Sequence, residues 1–234
     1  MKYLILVFAV MVLVSCESGK DDDMNENREK TGPIAYFPLD SSYMDESGNG
    51  ILLQAFGNPE FTEGHGKEPF TAVLLDGEDD YLVATVGNLD TFSISMWILS
   101  YRYFVGEWPH WRSTVFDYAN KQVYGYIDAV SGATQFSFGI AGEPVTGIVP
   151  DNMNNWFHLY VAVGKEVSIY YDGSLTATEP VEEPGIYVNG LLYLGRSNED
   201  DEIKLTQFYG LLDEIRIYNR ILDQSEIDEL SSGK

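Results

Sequence analysis

The chain has 234 residues, with 37 acidic against 14 basic side chains and a formal net charge of −23. That balance excludes a nucleic-acid groove, because phosphate binding draws its affinity from clustered Lys and Arg, and it suits an extracellular surface or one that recruits cations. A hydrophobic content of 44%, an aromatic content of 14% and 22 glycines exclude disorder as the overall state and fit a large core between short, turn-rich strands, at a length that suits a single all-β domain.

Lys2 supplies a positive start, Tyr3 to Val14 an apolar run, and Leu13-Val14-Ser15-Cys16 small residues before the chain's single cysteine. The apolar run is too short to span a bilayer comfortably. This segment resembles a bacterial lipoprotein signal, which implies removal of residues 1–15, a lipid on Cys16 and attachment to the outer membrane, facing either the surface or the periplasm. The competing reading is an ordinary secretory signal with an incidental cysteine. With one cysteine, no disulfide forms within the chain. Residues 16–31 are polar, charged and without apolar periodicity, so they read as a flexible acidic tether. Asp21-Asp22-Asp23 is solvated linker on this reading and resembles the acidic export signals of some surface lipoproteins.

The folded domain is expected over 32–234. Gly32-Pro33 opens it and Ile34 to Phe37 is a first short strand. Asp45-Glu-Ser-Gly-Asn-Gly50 is a concentrated turn signal. Strands follow at Ile51 to Phe56, Ala72 to Leu75 and Tyr81 to Thr85, with Asp76-Gly-Glu-Asp-Asp80 as the turn between the last two. Phe92, Ile94, Met96 and Ile98 alternate with Ser93, Ser95, Trp97 and Leu99, a strand apolar enough on both sides to lie deep in a sandwich. Further strands are read at Ser113 to Tyr118, Gln122 to Ile127, Thr134 to Ile140, Trp156 to Val163, Val167 to Tyr171 and Leu191 to Gly195. Asp172-Gly173 is a strong two-residue hairpin signal, because both central positions of such a turn need positive φ.

Tyr209 to Tyr218 closes the set. Strict alternation puts Leu211, Asp213, Ile215 and Ile217 on one side and Leu212, Glu214, Arg216 and Tyr218 on the other. Asp213 is the odd member of its face, a carboxylate that needs hydrogen bonds, a cation or water. One helix follows: Asp223 caps it, Glu226 completes a capping box, and Leu222 with Ile227 forms a hydrophobic staple. Many strands, one short C-terminal helix and no βα alternation predict an all-β, two-sheet antiparallel jelly-roll sandwich.

Ala35-Tyr-Phe-Pro-Leu-Asp40, Val73-Leu-Leu-Asp-Gly77, Asp80-Tyr-Leu82, Phe92-Ser-Ile-Ser-Met-Trp97, Trp156-Phe-His158, Ile169-Tyr-Tyr-Asp-Gly173, Leu194-Gly-Arg196 and Gly210-Leu-Leu-Asp-Glu-Ile-Arg-Ile-Tyr-Asn219 follow one another in order. Together they resemble the laminin-G-like domains of the concanavalin A-like lectin/glucanase superfamily, from Ile34 to Leu230. The resemblance implies that the first and last strands pair side by side, which brings Asp40 and the turn after it close to Asp213. Oxygen ligands converging there would suit a structural Ca²⁺, which takes about 6–8 of them. Asp40 and Asp213 are the candidate side-chain ligands, with Asp45 or Asn49 in support. The alternative is that Asp40 and Asp45 form turns and Asp213 accepts backbone N–H groups of the first strand.

Catalytic signals are weak. Retaining glucanases need two carboxyl groups about 5–5.5 Å apart, but Glu226-Ile-Asp228-Glu229 sits on the predicted helix and Glu182-Glu183 lies between prolines. No Gly-x-Ser-x-Gly elbow occurs. His65, His110 and His158 lack zinc spacing; His158 reads as a packed structural residue and His65, between glycines, as an exposed loop residue. Tyr101 to Arg112 does read as a binding surface, with Trp108 and Trp111 beside Tyr101, Arg102, Tyr103 and His110. Flat rings beside polar groups can stack on sugar faces and bond hydroxyls; the alternative is a flap that covers the sandwich edge. The favoured function is a non-catalytic, lipid-anchored module for polysaccharide or glycoprotein glycans. A scaffold that meets a cell-surface protein is the alternative, and a glycoside hydrolase with an unrecognised acid pair comes third.

Overall fold

The computed structural model describes residues 32–101, 112–119, 122–130, 133–140, 143–148, 154–181, 187, 190–197 and 207–233, and Gly32–Lys234 forms one compact unit. Two antiparallel sheets make a sandwich with a jelly-roll, lectin-like architecture, as the turn-rich alternating sequence requires. The first sheet runs β13 (Ser174–Pro180), β12 (Glu166–Tyr171), β11 (Phe157–Val163), β6 (Phe92–Ser100), β15 (Tyr209–Tyr218), β4 (Ala72–Asp76) and β3 (Glu60–Thr62), with β1 (Ala35–Phe37) also paired to β15. The second runs β10 (Glu143–Ile148), β9 (Ala133–Ile140), β8 (Val123–Val130), β7 (Arg112–Tyr118), β14 (Leu191–Leu194), β5 (Tyr81–Thr85) and β2 (Leu53–Phe56).

Period-two alternation builds the core. Phe92, Ile94, Met96 and Ile98 of β6 and Phe157, Leu159, Val161 and Val163 of β11 face Leu82, Ala84, Val115, Phe116, Phe136, Phe138, Leu192 and Leu194 of the second sheet, all buried in one cluster. Each such side chain contributes about 1.5–3 kcal/mol by leaving water. The Asp172-Gly173 hairpin forms as expected: both residues have positive φ, 44° and 78°, and Tyr171 pairs directly with Ser174.

The short helix α1 (Gln224–Ser231) has the expected capping box, with the Asp223 side chain accepting from Glu226 N and Glu226 accepting in return from the cap backbone. Leu222 and Ile227 are buried together with Tyr160, Ala162 and Tyr218 in a small second core on the outer side of the first sheet. Leu222 N donates to Tyr160 Oη at 2.8 Å, which ties the helix entrance to β11.

The alternation expected for the last strand does not hold along its length. Between Asp213 and Arg216 the pairing with β6 shifts register, and Glu214 adopts a φ of 55°. This bulge puts Leu212, Ile215 and Ile217 into the main core and separates Asp213 from Ile215, with which simple alternation groups it. Three strands absent from the sequence reading, β3, β10 and β13, each end a sheet. An edge strand buries little and carries a weak alternation; β13 is exposed at six of its seven positions.

His158, on the outer face of β11, is 1% exposed, and burial, reinforced by Arg216 and His65, lowers its pKa from 6.5 to about 3. Below its ordinary pKa the unfolded chain takes up a proton that folded His158 does not, so stability falls as pH drops from 6.5 towards 3, at up to about 1.4 kcal/mol per pH unit. Urea denaturation across that range is expected to show a steeper loss for the wild type than for His158→Gln.

Candidate functional site

The last strand changes partner midway. Its first half pairs with β4 up to Leu212↔Val73, and its second half pairs on the same side with β1 from Ile215↔Phe37. Asp213 and Glu214 fall in the gap, and the loop before β4 fills it. Asp213 is 2% exposed, and its Oδ2 accepts His65 N at 3.0 Å and His65 Nδ1 at 2.8 Å. Asp213 therefore does accept a backbone N–H, from this loop and not from the first strand. Gly64 allows the approach: a Cβ there would lie 2.5 Å from Asp213 Oδ2 and 2.3 Å from Thr71 Oγ1.

His65 is accordingly not an exposed loop residue. Its side chain is 17% exposed, and its ring stacks on Trp97 with centroids 4.4 Å apart and planes 7° apart. Trp97 meets His158 edge-on at 5.4 Å, and His158 Nε2 shares a 2.8 Å hydrogen bond with Ser95 Oγ. His158 Nδ1 is buried without a hydrogen-bond partner among the described residues. Beside this stack, Tyr36 Oη donates to both Glu214 oxygens at 3.1 and 3.0 Å, Arg216 pairs with Glu214, and Arg216 Cζ lies 4.0 Å above the Tyr36 ring. Burial pushes the Tyr36 phenol well above its ordinary pKa, with Arg216 opposing the shift. These groups, with Leu230 and Gly233, line a cavity of about 280 Å³ on the outer face of the first sheet.

Of the four candidate calcium ligands, Asp45, Asn49 and Asp213 have hydrogen-bond partners of their own. Asp45 Oδ1 accepts Tyr36 N and Ser47 N at 3.0 and 2.9 Å, and Oδ2 accepts Ile51 N at 2.8 Å. Partial burial opposes its charge, but the hydrogen bonds from Ser47 and from the backbone outweigh it and hold the carboxyl below its ordinary pKa. Asn49 Nδ2 donates to the Pro33 and Ile34 carbonyls at 3.4 and 3.1 Å. Asp40 is exposed, and partial burial together with Glu214, Asp213 and Glu46 raises its pKa. The acidic group with metal-ligand spacing among the described residues lies elsewhere: Asp76, Asp79 and Asp80 each offer an oxygen within 4.8 Å of the others, and the set could hold a cation. Asp80 already accepts Asn58 N at 2.6 Å, and Asp76 Oδ1 accepts Glu78 N at 2.8 Å. The sequence reading treats this stretch as a turn only; its Asp at positions one, four and five was the available signal.

Of the aromatic segment, Tyr101 is described: its N–H donates to Tyr209 O at 3.0 Å, its ring lies 5.2 Å from that of Tyr209, and it is 37% exposed. Arg102, Tyr103, Trp108, His110 and Trp111 lie outside the described residues, as does Cys16 with residues 1–31. A second aromatic row, unread in the sequence, crosses the outer face of the second sheet. Phe56 stacks on Tyr81 at 4.7 Å, Tyr81 faces Tyr193 at 6.4 Å, and Arg196 Cζ lies 4.6 Å from the Tyr81 centroid. These rings cover one another's faces, so they consolidate the sheet. The helix acids are structural: Glu226 caps α1 and takes both Arg220 nitrogens at 2.9 and 2.8 Å, and Asp228 accepts Gln224 Nε2 at 2.7 Å.

Residues 76–228 match the family Laminin_G_3, described as concanavalin A-like lectin/glucanases superfamily. A search of curated proteins finds no match. Among solved structures, domain 4 of AbnA, a GH43 extracellular arabinanase from Geobacillus stearothermophilus, in complex with arabinotriose, aligns with a TM-score of 0.64 and 20% identity over 86% of this chain and 98% of that one. The binding domain of Paraclostridial Mosquitocidal Protein 1 aligns with a TM-score of 0.67 and 17% identity, over 86% of this chain and 52% of the other. The receptor binding domain of botulinum neurotoxin type G gives 0.63 and 16%, over 86% and 51%. The alignment spans about half of each toxin chain. At these identities the likeness is one of fold.

Replacing Asp213 by Ala leaves the His65 amide without its acceptor. A loss of about 1–3 kcal/mol in denaturant unfolding is expected, with hydrogen exchange at the His65 amide accelerated beyond that of the β6 amides.

Proposed function

The chain belongs to the Laminin_G_3 family of the concanavalin A-like lectin/glucanase superfamily, and on that premise we propose that it is a non-catalytic glycan-binding module. The observation that carries this reading is Tyr101. It leaves the end of β6 with its backbone fixed to Tyr209 and is 37% exposed, at the head of a segment that holds two of the four tryptophans. Arg102, Tyr103, Trp108, His110 and Trp111 continue it as the sugar-binding surface, with rings to stack on sugar faces and polar groups to bond hydroxyls. The arabinotriose complex of a domain with this fold supports the ligand class. A lipid on Cys16 and the acidic tether place the module at the outer membrane of a bacterial envelope, on the surface or in the periplasm. On a glycan array, the Trp108→Ala/Trp111→Ala double variant is expected to lose binding that the wild type has. A wild type that retains no glycan overturns the reading.

A cell-surface protein is the second partner class. Met44 and Leu52 are 69% and 63% exposed beside an open groove of about 410 Å³ that Tyr43 and Ile51 also line. The toxin binding domains of like fold favour this alternative. Surface cross-linking that captures a protein through Met44 and Leu52, with no glycan bound, selects it.

The proposal includes a structural Ca²⁺. Asp76, Asp79 and Asp80 supply the hard oxygen ligands that this ion prefers, each with an oxygen within 4.8 Å of the others, although Asp76 and Asp80, like Asp45 and Asp213 of the set expected with Asp40 and Asn49, already accept backbone N–H groups. Ca²⁺ at about 100 times its Kd stabilises by about 2.7 kcal/mol. The Tm is expected to rise with added CaCl₂ and to fall in excess chelator, and Asp79→Asn, an exposed position, is expected to abolish the response.

A further inference from the structure

We propose that the cavity bounded by Tyr36, His65, Trp97, Glu214 and Arg216 is a saccharide subsite that takes one sugar residue without a carboxylate. Its named residues come from outside the aromatic segment, and it rests on the glycan-binding reading for its ligand class. His65 is firmly held. A buried carboxylate fixes its Nδ1 at 2.8 Å and its backbone N at 3.0 Å, Trp97 covers one face of its ring, and Gly64 leaves no room for a side chain beneath it. A loop histidine fixed at three points is pre-organised, which lowers the ordering cost of binding. The hydrogen bond to Asp213 makes Nδ1 the donor, so in the neutral imidazole Nε2 is left as an acceptor. Gly233, at φ 64°, keeps the space beside Nε2 clear: a Cβ at that position would lie 3.3 Å from the nitrogen.

The rest of the wall alternates donors and acceptors. Tyr36 Oη both donates and accepts, Glu214 accepts, Arg216 donates, and Leu230 with the edge of Trp97 adds apolar surface. Such a lining matches a ring that carries hydroxyls on its rim and C–H groups on its faces. A volume of about 280 Å³ stands at the small end of ligand pockets, roughly 300–1,000 Å³, and accommodates a single sugar unit better than a larger ligand. The charges disfavour an acidic one. Arg216 is paired with Glu214, and Asp40 lies within the field of Glu214, Asp213 and Glu46, so a uronate carboxylate meets repulsion.

The test is a titration of the full-length mature protein, labelled with ¹⁵N at histidine, with L-arabinose, D-galactose, D-glucose, D-glucuronate and D-glucosamine. A saturable shift of the His65 Nε2 resonance with at least one sugar other than D-glucuronate, with Kd of about 1–10 mM, is expected. Tyr36→Phe, which keeps the ring under Arg216, is expected to weaken that binding about tenfold, and His65→Gln to abolish it as read by calorimetry. The Trp108→Ala/Trp111→Ala double variant is expected to leave it unchanged while array binding is lost, which separates the two sites. Array binding with no His65 shift overturns the subsite and leaves the glycan reading standing; a saturable shift without array binding does the reverse. A shift that grows linearly without saturation, or tighter binding of glucuronate than of every other sugar tested, also overturns the subsite.

Discussion

One carboxylate holds together three parts of the chain that are far apart in sequence. Asp213 sits where β15 stops pairing with β4 and begins pairing with β1, a place where an antiparallel sheet leaves backbone groups without a ladder partner. The loop around His65 lies at this gap and supplies an N–H and an imidazole to the buried side chain of Asp213. The bulge at Asp213–Glu214 is the geometric counterpart of the same junction: by shifting register it keeps Leu212, Ile215 and Ile217 in the core and leaves Asp213 outside it.

The outer face of the first sheet follows from that junction. Because Asp213 draws His65 over the sheet, Trp97 is covered, His158 is sealed beneath it with Ser95, and Tyr36 with Glu214 and Arg216 forms the opposite wall of a small polar cavity. The C-terminal helix closes the other end through Leu230, held in place by its own small core around Tyr160 and Ile227. The second sheet uses its outer aromatics differently. Phe56, Tyr81 and Tyr193 stack across three strands and spend their faces on one another.

The acidic turn at Asp76–Asp80 shows how position decides the role of a carboxylate. Asp80 is buried and raised in pKa by that burial, while its oxygens accept backbone N–H groups that offset part of the cost. Asp45 has similar hydrogen bonds with less burial, and its pKa moves the other way. Turn acids of one composition thus differ in whether an added cation would relieve strain in the charge balance or compete with hydrogen bonds already made.

The sequence by itself determined the fold class, most of the strands, the Asp172-Gly173 hairpin and the capped helix, because each rests on a local rule: side chains that alternate every two residues, a turn that needs two positive φ angles, a box closed within three residues. It also marked Asp213 as anomalous. Tertiary structure alone decided its partner, since His65 lies 148 positions away and no local period relates them. The same holds for the bulge, which interrupts the period the strand would otherwise keep, for the edge strands β3, β10 and β13, which bury too little to show one, and for the cavity, whose walls come from β1, β6, β15, a loop and a helix. Local chemistry wrote the elements into the sequence; which side chains meet across the sheet was set by how the strands pair.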